Sequence, residues 1–211
     1  VDSGSLDHVC AAIRENGVLT NLDLSYNNFA GRGCAALAEA LESNSRIREL
    51  SLRGNNMGDL GARALEARLN ESGKLAKIDV SDNGIGIAGG RALGALITRA
   101  KSLKQADFSW NAVGARGTLD IAEGLKSASI VRLNLAWNGL GDAGAAAMGG
   151  SIRENQVLQF LDVSSNRIEL EGARSIADGL HENQTLRSLQ LNGNPIGDKG
   201  VVLVIEAVGV Q

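Results

Sequence analysis

One nine-residue pattern, Leu-x-x-Leu-x-Leu-x-x-Asn, recurs seven times along this chain with conservative replacements. The closing asparagines, which we call the repeat asparagines, are spaced 28, 28, 28, 27, 28 and 28 residues apart, at Asn27, Asn55, Asn83, Asn111, Asn138, Asn166 and Asn194. Self-similarity at this period predicts a solenoid, because one such unit is too small to bury its apolar face and must stack on its neighbours.

The second half of each unit predicts an amphipathic helix. A glycine follows each repeat asparagine by six residues, and aliphatic or methionine side chains follow it by ten and fourteen. A spacing of four places these last two on one helical face, whereas the alternating leucines indicate a strand. Parallel strands lie about 4.8 Å apart and packed helices about 8–10 Å apart. The stack is therefore expected to curve, with parallel strands on the concave face and helices on the convex face.

Two kinds of residue in the unit have an expected structural role. The asparagine ends the strand, and its side-chain amide can pair backbone groups of the turn that would otherwise be buried without a partner. The glycine allows close packing at the start of the helix, where a larger side chain would collide with the next unit.

The 28-residue strand–helix unit resembles the ribonuclease-inhibitor type of leucine-rich repeat, most clearly in residues 133–139 and 189–196. It also resembles the sensor repeats of NOD-like receptors, related cytosolic or ciliary leucine-rich-repeat proteins, and Ran GTPase-activating protein. The resemblance implies an α/β horseshoe of about seven repeats that serves as a scaffold for a protein partner. It leaves two alternatives: a GTPase-activating protein of the Ran-directed type, or an architectural component of a large assembly such as the ciliary axoneme.

Residues 1–211 are interpreted as a single leucine-rich-repeat domain. Residues 1–18 match the helical half of a repeat without its strand, so we expect a piece of a longer array. Cys10 and Cys34 lie among alanines on a helical pattern and do not form a disulfide framework, which favours a reducing, cytoplasmic setting. The resemblance adds the cilium or axoneme as a more specific location.

Four aromatic side chains are predicted to anchor a partner. Tyr26, Trp110 and Trp137 each precede a repeat asparagine, and Phe160 lies within the strand pattern one repeat after Trp137. The two tryptophans belong to consecutive repeats and should lie side by side. Aromatics make up 3% of the chain, so neighbouring tryptophans at the rim of the concave face suggest a binding hot spot. The alternative is that they pack on each other and on the turn.

The predicted concave face is polar and mildly acidic. Asp79, Asp107 and Asp162 share one outward column of the strands, and Arg132 belongs to the neighbouring column. These charges would steer a partner, although exposed strand positions also need polar residues for solubility. Asp79 and Asp107 lie in adjacent repeats, but no further ligands converge on them, so we predict no metal site.

Gly84, Gly86 and Gly89 form a G-x-G-x-x-G pattern between a strand and a helix, which in isolation suggests a dinucleotide site. The pattern recurs at Gly139, Gly141 and Gly144. However, its last glycine is the one found in every repeat, and the first position in the remaining repeats is occupied by Asn28, Asn56, Ala112, Arg167 or Pro195. We therefore predict no nucleotide binding at this turn.

No catalytic constellation is evident. His8 and His181 belong to different outer helices about six repeats apart, and no nucleophile, phosphate loop or His/Cys cluster accompanies them. We predict no enzyme, cofactor or small-molecule substrate. A formal net charge of −3 without a basic stretch argues against nucleic acid, and against an anionic membrane surface. Several arginines near helix starts are interpreted as a solvated outer stripe: Arg32, Arg63, Arg91, Arg116 and Arg174.

Overall fold

A computed structural model describes residues 3–72 and 74–209 of the chain. Helices and strands alternate throughout these residues. The strands are β1 (Asn21–Asp23), β2 (Glu49–Ser51), β3 (Lys77–Asp79), β4 (Gln105–Asp107), β5 (Arg132–Asn134), β6 (Phe160–Asp162) and β7 (Ser188–Gln190). The helices are α1 (Ser3–Glu15), α2 (Ala30–Glu42), α3 (Gly58–Ser72), α4 (Ile87–Arg99), α5 (Gly114–Lys126), α6 (Gly141–Glu154), α7 (Leu170–Glu182) and α8 (Gly197–Gly209).

The strands form one parallel sheet in sequential order, β1 to β7. The register repeats at every step, so that Leu50 pairs with Ile78 and Leu133 with Leu161. The middle residue of each strand from β2 to β6 is buried, whereas its two neighbours are partly or fully exposed. The predicted α/β solenoid is thereby confirmed, with an apolar core between the sheet and the helices.

The repeat asparagines hold the turns together, as predicted. Asn83 is buried, and its Nδ2 donates to the carbonyls of Leu52, Val80 and Ser81 at 2.9–3.1 Å. Its Oδ1 accepts from the backbone N–H groups of Asn55 and Met57 at 3.0 and 3.1 Å. One amide therefore connects two consecutive repeats.

This asparagine ladder changes at one step. In the run from Asn27 to Asn111, the backbone N–H of each repeat asparagine donates to the side-chain Oδ1 of the next repeat asparagine. The same bond recurs in the run from Asn138 to Asn194. A second backbone donor, two residues after the repeat asparagine, accompanies it in each repeat, as Met57 N does at Asn83 Oδ1. Between Asn111 and Asn138 only this second donor is present, with Val113 N at 3.4 Å from Asn138 Oδ1. This is the repeat of 27 residues, and the sheet register continues across it because the shortening falls between α5 and β5.

The repeat glycines allow the close packing that the sequence predicted. A Cβ added at Gly89 would lie 2.3 Å from Ile85 Cγ2 and 2.7 Å from Asp59 Oδ1. A second close approach, between helices, was not predicted. A Cβ at Gly94 of α4 would lie 2.4 Å from the carbonyl oxygen of Asp120 in α5.

A second set of asparagines at the helix ends was also missed. Asn44, Asn155 and Asn183 are buried and stand seventeen residues after a repeat asparagine. Asn155 Nδ2 donates to the Leu125 carbonyl at 2.6 Å, and its Oδ1 accepts from Val157 N and Leu158 N. This set pairs the backbone where a helix leads into the next strand.

The cysteines do not form a disulfide, and both are buried as free thiols. Burial raises the pKa of Cys34 to about 12 and also raises the pKa of Cys10. None of the helices in residues 3–72 and 74–209 combines the length and apolar character needed to cross a membrane.

Candidate functional site

The sheet presents an outward surface, here called the strand face, that consists of the side chains flanking the buried strand centres. Each strand contributes its first and third residues. The residues two positions later lie on the same side of the chain, but four of them are buried: Ser81, Ser109, Ala136 and Ser164. The central column of this surface is Asp23, Ser51, Asp79, Asp107, Asn134, Asp162 and Gln190. The predicted polar column is therefore continuous along the sheet, with aspartate at four of its seven positions.

The aspartates of this column are braced by serines two residues later. Asp79 Oδ1 accepts from the backbone N–H of Ser81 at 2.9 Å and from its hydroxyl at 2.6 Å. Asp107 makes the same pair of bonds with Ser109 at 3.0 and 2.6 Å. The Asp-x-Ser spacing was visible in the sequence, but its local structural role was not recognised.

The other aspartates of the column show variants of this brace. Asp162 Oδ1 accepts a hydrogen bond from the Ser164 backbone N–H at 2.8 Å. The Ser164 hydroxyl donates instead to Asn192 Oδ1 at 2.6 Å. At Asp23 the hydroxyl and backbone hydrogen bonds from Ser25 lower the pKa of the carboxyl. The column thus has a structural role in the turns and still carries negative charge.

The Arg132 guanidinium lies over the Phe160 ring on the strand face. They are register partners on β5 and β6, and the Arg132 guanidinium carbon lies 4.1 Å from the Phe160 ring centroid. Beside them is a hollow of about 270 Å³ that is also lined by Lys77, Gln105 and Asp107. Phe160 is only half-buried, so this cation–π pair is the apolar feature of an otherwise polar surface.

The two tryptophans lie side by side, as predicted. The ring centroids of Trp110 and Trp137 are 4.4 Å apart with an interplanar angle of 14°, and each side chain is 50% exposed. Both residues adopt a left-handed backbone, with φ of 55° and 59°. The rings therefore pack on each other, and half of each ring stays exposed. The binding role of this surface stays a prediction.

Tyr26 occupies the same turn position three strands away from Trp110, which is about 14 Å at the usual strand spacing. Its ring is 63% exposed and lies close to Gly54, with Arg53 5.8 Å from the ring centroid. The structure therefore brings the tryptophans together but leaves Tyr26 apart from them.

A groove of about 540 Å³ adjoins the tryptophan pair on its C-terminal side. Trp137 forms one wall, Gly139 leaves open space, and Ser165 and Arg167 supply polar groups. Together, the stacked rings and this groove form what we call the tryptophan edge.

Two backbone donors of the G-x-G-x-x-G turn are already occupied by a side chain of the protein. The Gly86 and Gly89 backbone N–H groups both donate to Asp59 Oδ1, at 2.7 and 2.8 Å. Asp59 belongs to the preceding repeat and so caps α4 from outside the helix. Within the described residues, no three His, Cys, Asp or Glu side chains are arranged to hold a metal ion.

Comparison with known proteins identifies the repeat. The family profile described as "Leucine Rich repeat" matches residues 16–38, 43–65, 126–149, 154–177 and 182–204, which together are more than half of the chain. No curated protein sequence is similar enough to count as a relative.

Two solved structures show the same fold. The tropomodulin C-terminal domain of Caenorhabditis elegans superposes with a TM-score of 0.52 at 16% identity, over 84% of this chain and 92% of that one. The TLR13–ssRNA13 complex superposes with a TM-score of 0.51 at 17% identity, over 95% of this chain and 28% of that one. The ribonuclease-inhibitor subtype stays a prediction.

Proposed function

Because the chain belongs to the leucine-rich repeat family, a fold typical of protein-interaction scaffolds, we propose that it binds a protein partner through the tryptophan edge and the strand face. The single observation that carries this proposal is the stacked, half-exposed pair of Trp110 and Trp137. Trp110, Trp137, Tyr26 and Phe160 would anchor the partner, and Asp79, Asp107, Asp162 and Arg132 would steer it.

The fold itself does not require tryptophan at these positions. Equivalent turns carry Gly54, Asp82, Ser165 and Gly193, all with positive φ. A bulky residue in this left-handed conformation costs roughly 1 kcal/mol relative to glycine. Half of each ring also remains in water. Such strain at an exposed aromatic supports a binding role.

The apolar area available at the pair is large enough for a hot spot. A tryptophan side chain offers up to about 250 Å², so half-exposure leaves roughly 100 Å² on each ring. Burying this area would contribute about 2.5 kcal/mol per ring at 25 cal/mol per Å². The expected partner has an aromatic or aliphatic side chain for this edge and basic residues opposite the aspartate column.

We propose a scaffold without catalytic activity, cofactor or small-molecule substrate, located in the cytoplasm, with the cilium or axoneme as the more specific location to test. The two buried free thiols support a reducing compartment. The acidic strand face and the net charge of −3 support a protein partner over nucleic acid. Single-stranded RNA still belongs among the ligands to be tested, because one of the similar structures is a TLR13–ssRNA13 complex.

The experiment begins with the protein that co-purifies with the full-length chain and ends with affinities of purified variants. Trp110→Ala with Trp137→Ala should weaken binding by about 30-fold or more, since hot-spot truncations cost about 2 kcal/mol or more. Leu119→Ala is the matched control, because this side chain is also 50% exposed but lies on α5. The proposal is wrong if the tryptophan variant binds normally and the Leu119 variant does not.

The two alternatives give different results in the same system. A GTPase activator would accelerate GTP hydrolysis by a small GTPase in a single-turnover assay, which scaffold binding does not do. An architectural component would co-purify with the other subunits of a large assembly and remain bound at high salt.

A further inference from the structure

The outer side of the helices carries a trough, here called the arginine trough, that lies over α4 between α3 and α5. Its volume is about 1100 Å³. The trough exists because α4 presents small side chains there, at Ala88, Ala92 and Ala95, whereas its neighbours carry long ones. Ile87 adds an apolar side chain that is 52% exposed.

The dimensions of this trough suit one helix. Neighbouring helices pack about 8–10 Å apart, so α3 and α5 are separated by roughly 16–20 Å across α4. An α-helix with its side chains is about 10–12 Å wide. A helix could therefore rest on the alanines of α4 with the long side chains of α3 and α5 on either side.

Three arginines of the trough have no acidic partner. Arg63 on α3, Arg91 on α4 and Arg116 on α5 are exposed and form no ion pair with any residue that the structure describes. The interpretation of these residues as part of a solvated stripe does not account for their convergence on one depression.

The carboxylates of the trough are mostly engaged elsewhere. Asp59 accepts from two backbone N–H groups at the start of α4, and Glu66 pairs with Arg99 at 2.5 Å. Asp120 is the remaining carboxylate among the lining residues. The backbone N–H groups that donate to Asp59 do not neutralise its charge, so four arginines stand against three carboxylates in the trough. This leaves an excess of one positive charge there, in a chain whose net charge is −3.

The same repeat position elsewhere shows the contrast. Arg63, Arg91 and Arg174 all stand eight residues after a repeat asparagine. Arg174 on α7 pairs with Glu171 at 3.5 Å, and nearby Arg153 pairs with Glu182 at 3.1 Å. The position of Glu171 is taken by Leu60 in the repeat of Arg63 and by Ala88 in the repeat of Arg91, so this ion pair within the helix is not available to either arginine of the trough.

We propose that the arginine trough binds an acidic amphipathic helix of a partner protein. Its carboxylates would pair with Arg63, Arg91 and Arg116, and a small apolar stripe would contact Ile87 and the alanines of α4. This surface lies on the helices and is independent of the tryptophan edge, so either proposal can fail without the other.

The probe is a fluorescein-labelled peptide of about 15 residues, long enough to sample the helix, with glutamates at i and i+4 beside an alanine–leucine stripe. One control peptide carries lysine at every glutamate position, and another has the same composition in an order that removes the stripe. Fluorescence anisotropy at low and high salt gives the affinities. The acidic helix should bind the wild-type chain best, and more weakly as salt rises.

The variant that tests the trough is the triple replacement of Arg63, Arg91 and Arg116 by alanine. Because three exposed ion pairs would be lost together, the affinity should fall by about tenfold. Arg174→Ala is the matched control and should bind as the wild type does. Urea midpoints of all variants establish that they are folded, and Arg91→Glu provides a single-site test with the same expected direction.

Several results would overturn the proposal. The lysine or stripe-less peptide could bind equally well, or the triple variant could keep its affinity within twofold. Loss of binding in Arg174→Ala to the same extent would also overturn it. Arginine-dependent binding of phosphatidylserine vesicles, without binding of the acidic helix, would identify the trough as a membrane contact instead.

Discussion

Replacing Asn83 by alanine should destabilise the solenoid far more than replacing the equivalent Asn27. The three carbonyls that Asn83 Nδ2 contacts each keep a second donor, from Asn55 Nδ2, Asn111 Nδ2 and Gly54 N. The two N–H groups that donate to its Oδ1, from Asn55 and Met57, belong to buried residues and would lose their acceptor.

The magnitude follows from those two donors. A buried backbone group without a partner costs about 1–3 kcal/mol, so two of them cost roughly 2–6 kcal/mol. Asn27 is exposed, and its amide donates to the carbonyls of Leu24 and Ser25 within its own turn. Its replacement should cost about 1 kcal/mol or less, because water can replace these bonds.

Urea unfolding followed by far-UV circular dichroism measures both variants. A lower midpoint with an unchanged slope means that stability has changed and the unfolded reference has not. The reasoning is refuted if Asn83→Ala costs less than about 1 kcal/mol, or if the two variants lose equal stability, since burial of the orphaned N–H groups is what distinguishes the two sites.

Two further predictions concern glycine packing and acid sensitivity. In urea unfolding, Gly94→Ala should destabilise by about 2 kcal/mol or more, because its Cβ would collide with the α5 backbone. Gly150→Ala should be neutral or stabilising, because no atom lies within 4 Å of its Cβ. Equal losses of stability at both sites would contradict this account. The pKa of Asp23 is lower in the folded chain than in the unfolded chain. The Asp23 carboxylate therefore stabilises the fold at pH values above its unfolded pKa, and this contribution is lost as the pH falls through its folded pKa. Ser25→Ala removes the hydroxyl donor but keeps the backbone N–H, so it should raise that pKa part of the way toward its ordinary value in an NMR titration. An unchanged pKa would show that the Ser25 hydroxyl is not a cause of the lowering.

Much of the fold was predictable because every structural step is repeated. The interval between repeat asparagines gave the strand register, and alternation gave the exposed column of the strand face. Adjacent repeats also placed Trp110 beside Trp137. The pairing of Arg132 with Phe160 was predictable in the same way, since they occupy one column in consecutive repeats.

Periodicity could not predict features that depend on what each side chain contacts. Alternation shows that Asp79 faces outward, but it does not show that Ser81 donates two hydrogen bonds to it. Gly94 resembles an ordinary weak helix residue until the backbone of α5 is located beside it. The arginine trough likewise depends on small side chains of α4 lying between long side chains of α3 and α5, which the helical pattern of a single unit does not encode.

At the single 27-residue repeat the asparagine ladder loses one of its hydrogen bonds, between a run of four repeats and a run of three, while Asn138 still bonds to Val113 N and the Phe108 carbonyl across this step. In a solenoid, cooperativity passes through nearest-neighbour interfaces, so a changed interface is a natural boundary between two cooperative unfolding units. Trp110 and Trp137 stand on opposite sides of that boundary and are the only tryptophans in the chain. Their fluorescence is thus a built-in reporter of the junction, and a partner bound at the tryptophan edge would couple the two halves of the array.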